Sequence, residues 1–200
     1  LLRKNYGLES VPINMAVEEP TEAVAGRDID VLWVNNLRGF KQPELAVELA
    51  ARIPSRRVVM NGGAVPGNEG LYADIQEKAK RLPNLSFLGA VPYHEVNAYF
   101  ARSRVFINTS KHEGFPNSFL QAWIRGVPVV SFFDPDGLIA RIGLGHAARD
   151  PVAMAESVES LLSDEPARAA LAEQCAAYAR ANYAPIAVAR RYIELGALGT

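Results

Sequence analysis

The sequence predicts an α/β protein built on a doubly wound parallel sheet, with extra helices at its C-terminal end. Three observations predict it. Short apolar runs rich in strand formers alternate with helical patterns of about ten residues. The runs are apolar at successive positions, as a sheet covered on both faces requires. The chain has 200 residues, which suits one domain and allows a sizeable core without disulfides or metals.

The elements follow in order. Residues 1–30 show little periodicity and carry Pro12, Pro20 and the acidic pair Glu18 and Glu19; one short strand is expected over 10–13. Val31-Leu32-Trp33-Val34 is the first strand of the sheet. Residues 43–53 read as a helix, with Pro43 near the first turn and Leu45, Val47, Leu49, Ala50 and Ile53 as its apolar positions. Strands are then expected over 57–60, 85–89, 105–108 and 127–131, with a short sixth over 146–148. The helices between them fall over 71–82, 94–102 and 117–125. Helices over 152–162, 165–182 and 185–195 close the chain.

Composition excludes several classes. The formal net charge is -1, so no global field draws the chain to nucleic acid or anionic lipid. Basic pairs such as Arg56-Arg57 and Arg190-Arg191 read as solvated surface. Cys175 is the only cysteine, so no internal disulfide forms; that agrees with a reducing compartment. No apolar run has the length of a membrane span, and no signal-peptide pattern opens the sequence. A cytoplasmic setting is expected. The first residue is Leu1, not Met, which reads as a piece of a longer protein.

In a doubly wound sheet, ligands bind outside the carboxyl ends of the strands, so the loops there carry the candidates. The loop after the first strand, residues 35–41, offers Asn36, Arg38 and Lys41, two of them long cations able to hold a diphosphate. Alone it reads equally as a solvated basic loop. After the second strand, Gly62 and Gly63 permit close backbone approach to a ligand, though paired glycines also simply make turns. Neither GxGxxG nor GxxxxGK[ST] occurs, so no dinucleotide fingerprint or P-loop is present. The loop after the third strand, with Val91, could take a base against its backbone, or could be a plain strand-to-helix connection.

The loop after the fourth strand carries the strongest signal. Pro116 sits at a helix start, with Asn117 and Ser118 in the first turn. Free N–H groups and the helix dipole make such a start an anion site. Gly114 permits a tight backbone beside it. Glu113 can accept bonds from sugar hydroxyls, and Gln121 can face the same cleft. The plain alternatives are a carboxylate satisfying the helix dipole and a surface helix residue.

Glu113-Gly114-Phe115-Pro116, then Leu120-Gln121-Ala122, then Gly126-Val127-Pro128-Val129-Val130, resembles the signature of retaining family-4 glycosyltransferases of GT-B fold. The resemblance runs over roughly residues 31–195, and includes Phe87-Leu88-Gly89, Val91-Pro92 and Arg191-Tyr192. It implies a Rossmann-like C-terminal half of a GT-B enzyme. Residues 1–29 would be the interdomain linker and the start of the domain, residues 30–200 the nucleotide-sugar-binding domain, and the N-terminal acceptor domain would lie outside the chain. The implied activity is transfer of a hexosyl group from a nucleotide diphosphate sugar to an acceptor, with retention and without a cofactor or a bound metal. The implied partners are the donor and the acceptor domain, with peripheral membrane association possible through that other half. Polysaccharide biosynthesis is a common setting for the family.

Residue by residue, Lys41 resembles the family's diphosphate-binding lysine and Glu113 the first glutamate of its Glu-x7-Glu motif. Phe115, Pro116, Asn117 and Ser118 resemble the loop and helix start that hold the phosphates, and Val91 the residue near the base. The chain departs from the family twice. Asn35-Asn36 stand in place of Gly-Arg, with Arg38 a conceivable substitute. Gln121 stands in place of the second glutamate, which usually takes both ribose hydroxyls. A neutral amide can still accept one bond and donate another, at a cost of about tenfold in affinity. These losses also fit a degenerate, non-catalytic nucleotide-sugar-binding or interaction module. A receiver-like domain is disfavoured, because Asn35, Asn36 and Gly89 stand where its acidic residues would be.

Overall fold

The computed structural model describes residues 2–7, 11, 13–21 and 26–197. A short helix, α1 (Leu2–Tyr6), precedes the sheet. The expected strand over 10–13 includes residues 10 and 12, which lie outside the described residues; Val11 and Ile13 are in no regular element.

Six strands form one parallel sheet: β1 (Ile29–Val34), β2 (Val58–Asn61), β3 (Leu85–Phe87), β4 (Ser103–Asn108), β5 (Val129–Ser131) and β6 (Gly145–Ala147). Their order is β3-β2-β1-β4-β5-β6, with every pair parallel. The order reverses between β1 and β4, which creates the switch point where doubly wound folds open a crevice. The register sets Val34 beside Asn61 and Trp33 beside Ile107.

The strands are apolar on both faces because both faces are covered. Val31, Trp33, Val58, Met60, Val105 and Ile107 point to one layer. That layer holds α2 (Pro43–Arg52), α3 (Glu69–Ala79) and α6 (Pro151–Ser163). Leu32, Val59, Phe106 and Val129 point to the other. It holds α4 (Tyr93–Ala101), α5 (Asn117–Trp123) and α7 (Glu165–Tyr183). The C-terminal α8 (Pro185–Ala197) packs on α7.

Local chemistry fixes the ends. Asp150 and Asp164 cap α6 and α7 by accepting from the N–H of Ala153 and Ala167 at 2.8 and 2.9 Å. Gly126, with φ +63°, closes the turn after α5, and the Val127 N–H donates back to the Ala122 carbonyl at 3.0 Å. The structure shortens the helix expected over 117–125 to residues 117–123 for this reason. Four described elements escaped the sequence: α1, 3₁₀ turns over Gly39–Lys41 and Pro135–Gly137, and a π-turn over Ile139–Gly143, all too short for a periodic signal.

The basic pair Arg56-Arg57 stays at the surface, with Arg57 exposed, but both residues are ion-paired. Arg56 pairs with Glu159 at 2.6 Å, and Arg57 and Arg102 both pair with Asp28, at 2.7 and 2.6 Å. The hydrogen bond from Arg102 holds the Asp28 carboxyl at about 2, below the usual carboxylate range. The segment before the sheet is also less free than a bare linker. Val17 N–H donates to the Tyr183 carbonyl at 2.8 Å, and Val17 packs on the second core layer.

Strand ends approach closely near Gly62. A Cβ there would lie 2.4 Å from the Asn35 carbonyl oxygen and 2.9 Å from the Trp33 ring. Gly62→Ala is therefore expected to cost about 1–3 kcal/mol by overpacking. Gly70→Ala, where a Cβ meets nothing within 4 Å and the backbone is helical, should leave stability equal or higher. Urea denaturation of the two variants tests the contrast.

Candidate functional site

A cleft of about 670 Å³ opens at the carboxyl ends of β1, β2, β3 and β4. One end is apolar, with Ala90, Val91 and Val96 from the β3–α4 region. The side beyond β1 and β4 is polar, with Lys41, Glu113, Asn117 and Ser118, and Gln121 of the lining reaches across to Asn97 of α4. Asn35, Asn36, Asn61 and Gly62 line the middle.

Lys41 and Glu113 form an ion pair, with side chains only 14% and 12% exposed. Ser110 Oγ donates to the same Glu113 oxygen at 2.7 Å. The two loops that bring these residues together are joined by further contacts. Thr109 Oγ1 donates to the Lys41 carbonyl at 2.7 Å, and Trp33 Nε1 donates to Thr109 Oγ1 at 2.9 Å. Lys111 N–H donates to the Phe40 carbonyl at 3.0 Å. The Phe40 and His112 rings stack at 5.5 Å, and the Lys41 ammonium lies 5.0 Å from the Phe40 ring centre. The 3₁₀ turn that carries Lys41 thus rests on the loop that carries Glu113.

Phe115 anchors the other side of that loop. Its ring lies 5.7 Å from that of Tyr183 and 6.3 Å from that of Trp123. Burial pushes the Tyr183 phenol pKa up, so it stays neutral in this aromatic cluster. Pro116 is the N-cap of α5, and the N–H groups of Asn117 and Ser118 open the helix without intrahelical acceptors. The helix has seven residues, so these N–H groups count for more than its dipole.

Gln121 Nε2 donates to Asn97 Oδ1 at 3.1 Å. One of its two amide hydrogens is thereby engaged, and its carbonyl oxygen is left to accept from a ligand. A neighbouring cavity of about 280 Å³ shares Tyr93, Asn117 and Gln121 with the cleft, and residues 15–18 line it as well.

Most of the sequence candidates converge here: Asn36, Lys41, Gly62, Val91, Glu113, Phe115, Pro116, Asn117, Ser118 and Gln121 all line one cleft. Two do not. Arg38 precedes the 3₁₀ turn and is exposed outside the cleft lining, so it does not replace the missing arginine in this conformation. Gly114 lies outside the lining too; its φ is not positive and a Cβ there would meet nothing within 4 Å, so no tight backbone requires it. The sequence reading missed Asn35, Asn61 and Tyr93 in the lining, and Thr109 and Ser110 beneath it. Asn61 was within reach, since it ends the second strand; Thr109 and Ser110 act through contacts that no local pattern announces.

Among the described residues, Lys41 is the only lysine or arginine lining the cleft. None of the described residues forms a group of three or more His, Cys, Asp or Glu placed to hold a metal ion. No described helix is long and apolar enough to cross a membrane.

Residues 28–164 match the family model described as "Glycosyl transferases group 1". The chain is 28% identical over 165 residues to a D-inositol 3-phosphate glycosyltransferase of Corynebacterium aurimucosum, covering 75% of the chain and 38% of that protein. It is 31% identical over 118 residues to the Vi polysaccharide biosynthesis protein VipC/TviE of Salmonella typhi, covering 56% and 19%. The chain therefore spans well under half the length of these curated relatives. The fold is similar to that of Anabaena Alr3699/HepE in complex with UDP and glucose, with TM-score 0.72 and 18% identity over 87% of this chain and 49% of that one.

The support beneath the cleft makes a sharp expectation. Thr109→Val removes the acceptor of the buried Trp33 N–H and the donor to the Lys41 carbonyl. Such a loss costs about 1–3 kcal/mol. Urea unfolding should show a lower midpoint at unchanged slope; an unchanged midpoint would show that Trp33 finds another acceptor.

Proposed function

The chain belongs to the group 1 glycosyl transferases, and we propose that it is the nucleotide-sugar donor-binding half of a GT-B enzyme. The observation that carries this proposal is the convergence of Lys41, Glu113 and the opening N–H groups of α5 on one cleft at the switch point of the sheet. A nucleoside diphosphate sugar matches its polarity. The base lies toward Val91 and Val96, the sugar and second phosphoryl toward Glu113 and Lys41. The Anabaena structure holds UDP and glucose, which makes UDP-sugars the first donors to try.

In the proposed reaction, the bond from the anomeric carbon to the diphosphate oxygen breaks. The bond from that carbon to the acceptor oxygen forms on the same face, with retention, and the acceptor proton passes to the departing diphosphate. Negative charge grows on the leaving oxygens, where Lys41 and the N–H groups of Asn117 and Ser118 stabilise it. Glu113 orients the hexosyl group through its hydroxyls, a positioning role. Gln121 accepts from the ribose through the carbonyl that Asn97 leaves open. The acceptor and its domain come from the remainder of the protein. Exposed Ile186, Tyr192 and Ile193 on α8 are suited to pack against it. The chain alone is expected to bind donor and transfer nothing; detectable transfer by it would overturn that division of labour.

A second reading has a specific observation behind it. Asn36 and Gln121 replace charged residues, and Lys41 is already engaged by Glu113, so the cleft fits a binding module that has lost catalysis.

Calorimetric titration with UDP-, GDP- and ADP-sugars tests donor binding. Lys41→Ala should weaken the preferred donor by about 10- to 100-fold, as loss of a charge-assisted bond does. Glu113→Ala should weaken the nucleotide sugar more than the bare nucleoside diphosphate. Absence of binding by any nucleotide refutes the donor site, and unaltered binding by both variants refutes its placement. Transfer by the full-length enzyme, abolished by the same changes, excludes the non-catalytic module.

A further inference from the structure

Asn61 ends β2 inside the cleft and is 4% exposed, yet its amide nitrogen bonds to nothing among the described residues. Asn35, after the neighbouring strand, also lines the cleft, and its amide nitrogen is likewise enclosed and without a partner. The two residues are held side by side. The Asn35 N–H donates to the Asn61 carbonyl at 3.1 Å, and Gly62 lets the Asn35 carbonyl press against the end of β2. An enclosed amide without a partner is destabilising, and an apolar side chain of the same size would avoid that cost. Two such amides beside one cleft point to a ligand that supplies the missing acceptor.

The kind of acceptor follows from number and place. Both vacancies are donors, which matches a group that only accepts, and a phosphoryl group only accepts. Their place follows from the strand order: β2 and β1 stand between β3, whose following loop carries Val91, and β4, whose following loop carries Glu113. Resting on the donor-binding reading above, we propose that Asn61, seconded by Asn35, binds the phosphoryl group next to the nucleoside. A turn about the terminal amide torsion, which is broad and soft for asparagine, brings the N–H₂ group to the ligand. Neutral amides would thereby take over part of the role for which, among the described residues, this cleft has no second cation.

The test uses the replacement Asn61→Leu, close in size and without the amide. Calorimetry would measure UMP, UDP and UDP-glucose against wild type and variant, or the guanosine or adenosine series where the donor titration selects those. All three ligands should weaken by a similar factor, about 10- to 100-fold. Asn61→Asp, which puts a carboxylate beside the phosphoryl, should weaken them further. Without ligand, Asn61→Leu should be at least as stable as wild type in urea. Unaltered affinity overturns the proposal, as does a loss confined to UDP-glucose, which would place Asn61 at the sugar. A less stable empty variant overturns it too, since Asn61 would then serve the fold. Failure of wild type to bind any nucleotide refutes instead the donor site on which the proposal rests.

Discussion

The ion pair between Lys41 and Glu113 fixes the geometry of the cleft. It joins the loop after β1 to the loop after β4, the two strands that flank the reversal of the sheet. Exposed ion pairs contribute about 0–1 kcal/mol. This one is mostly enclosed and is held by Ser110 and by the Phe40 ring, so removing one partner leaves a poorly solvated charge. The pair also sets a tension. Each partner engages the other in the empty cleft, and each is the group a nucleotide sugar would use. Donor must therefore share Lys41 with Glu113, which makes the cleft both pre-organised and partly self-satisfied.

The sheet makes this arrangement possible. Residues facing both layers are apolar, so the strands are rigid and their carboxyl ends present a fixed edge. Gly62 allows the ends of β1 and β2 to meet, and the bond from Trp33 to Thr109 ties the floor of the cleft to the Lys41 backbone. The aromatic cluster of Phe115, Trp123, Tyr178 and Tyr183 anchors the Glu113 loop to the end of α7. The Tyr183 carbonyl also accepts from Val17, so the segment preceding the domain reaches the same anchor. Packing, not charge, connects the site to the part of the chain that leads away from it.

Much of this was legible in the sequence. Apolar runs alternating with helical periods announce the layers and the parallel sheet, because burial on both faces leaves that pattern. The run from Glu113 to Ser118, followed by Gln121, announces one side of the cleft, since a loop entering a helix start is a local feature. What escaped was of another kind. Asn35 and Asn61 look like turn residues until the register of β1 and β2 places them together. Thr109 and Ser110 matter through bonds to residues some seventy positions away or through a side chain in the next turn, and neither leaves a period. Arg38 is the converse case: its chemistry suited a phosphate, but the 3₁₀ turn that delivers Lys41 leaves Arg38 outside the cleft lining.

The most direct test of the account is a crystal structure of the chain with UDP-glucose bound. The base is expected near Val91 and Val96, the diphosphate within hydrogen-bonding reach of Lys41 and the opening N–H groups of α5, and the sugar against Glu113. A nucleotide lodged elsewhere would contradict it, for example in the cavity between Asn14 and Arg191 of α8, with the cleft at Lys41 and Glu113 left empty.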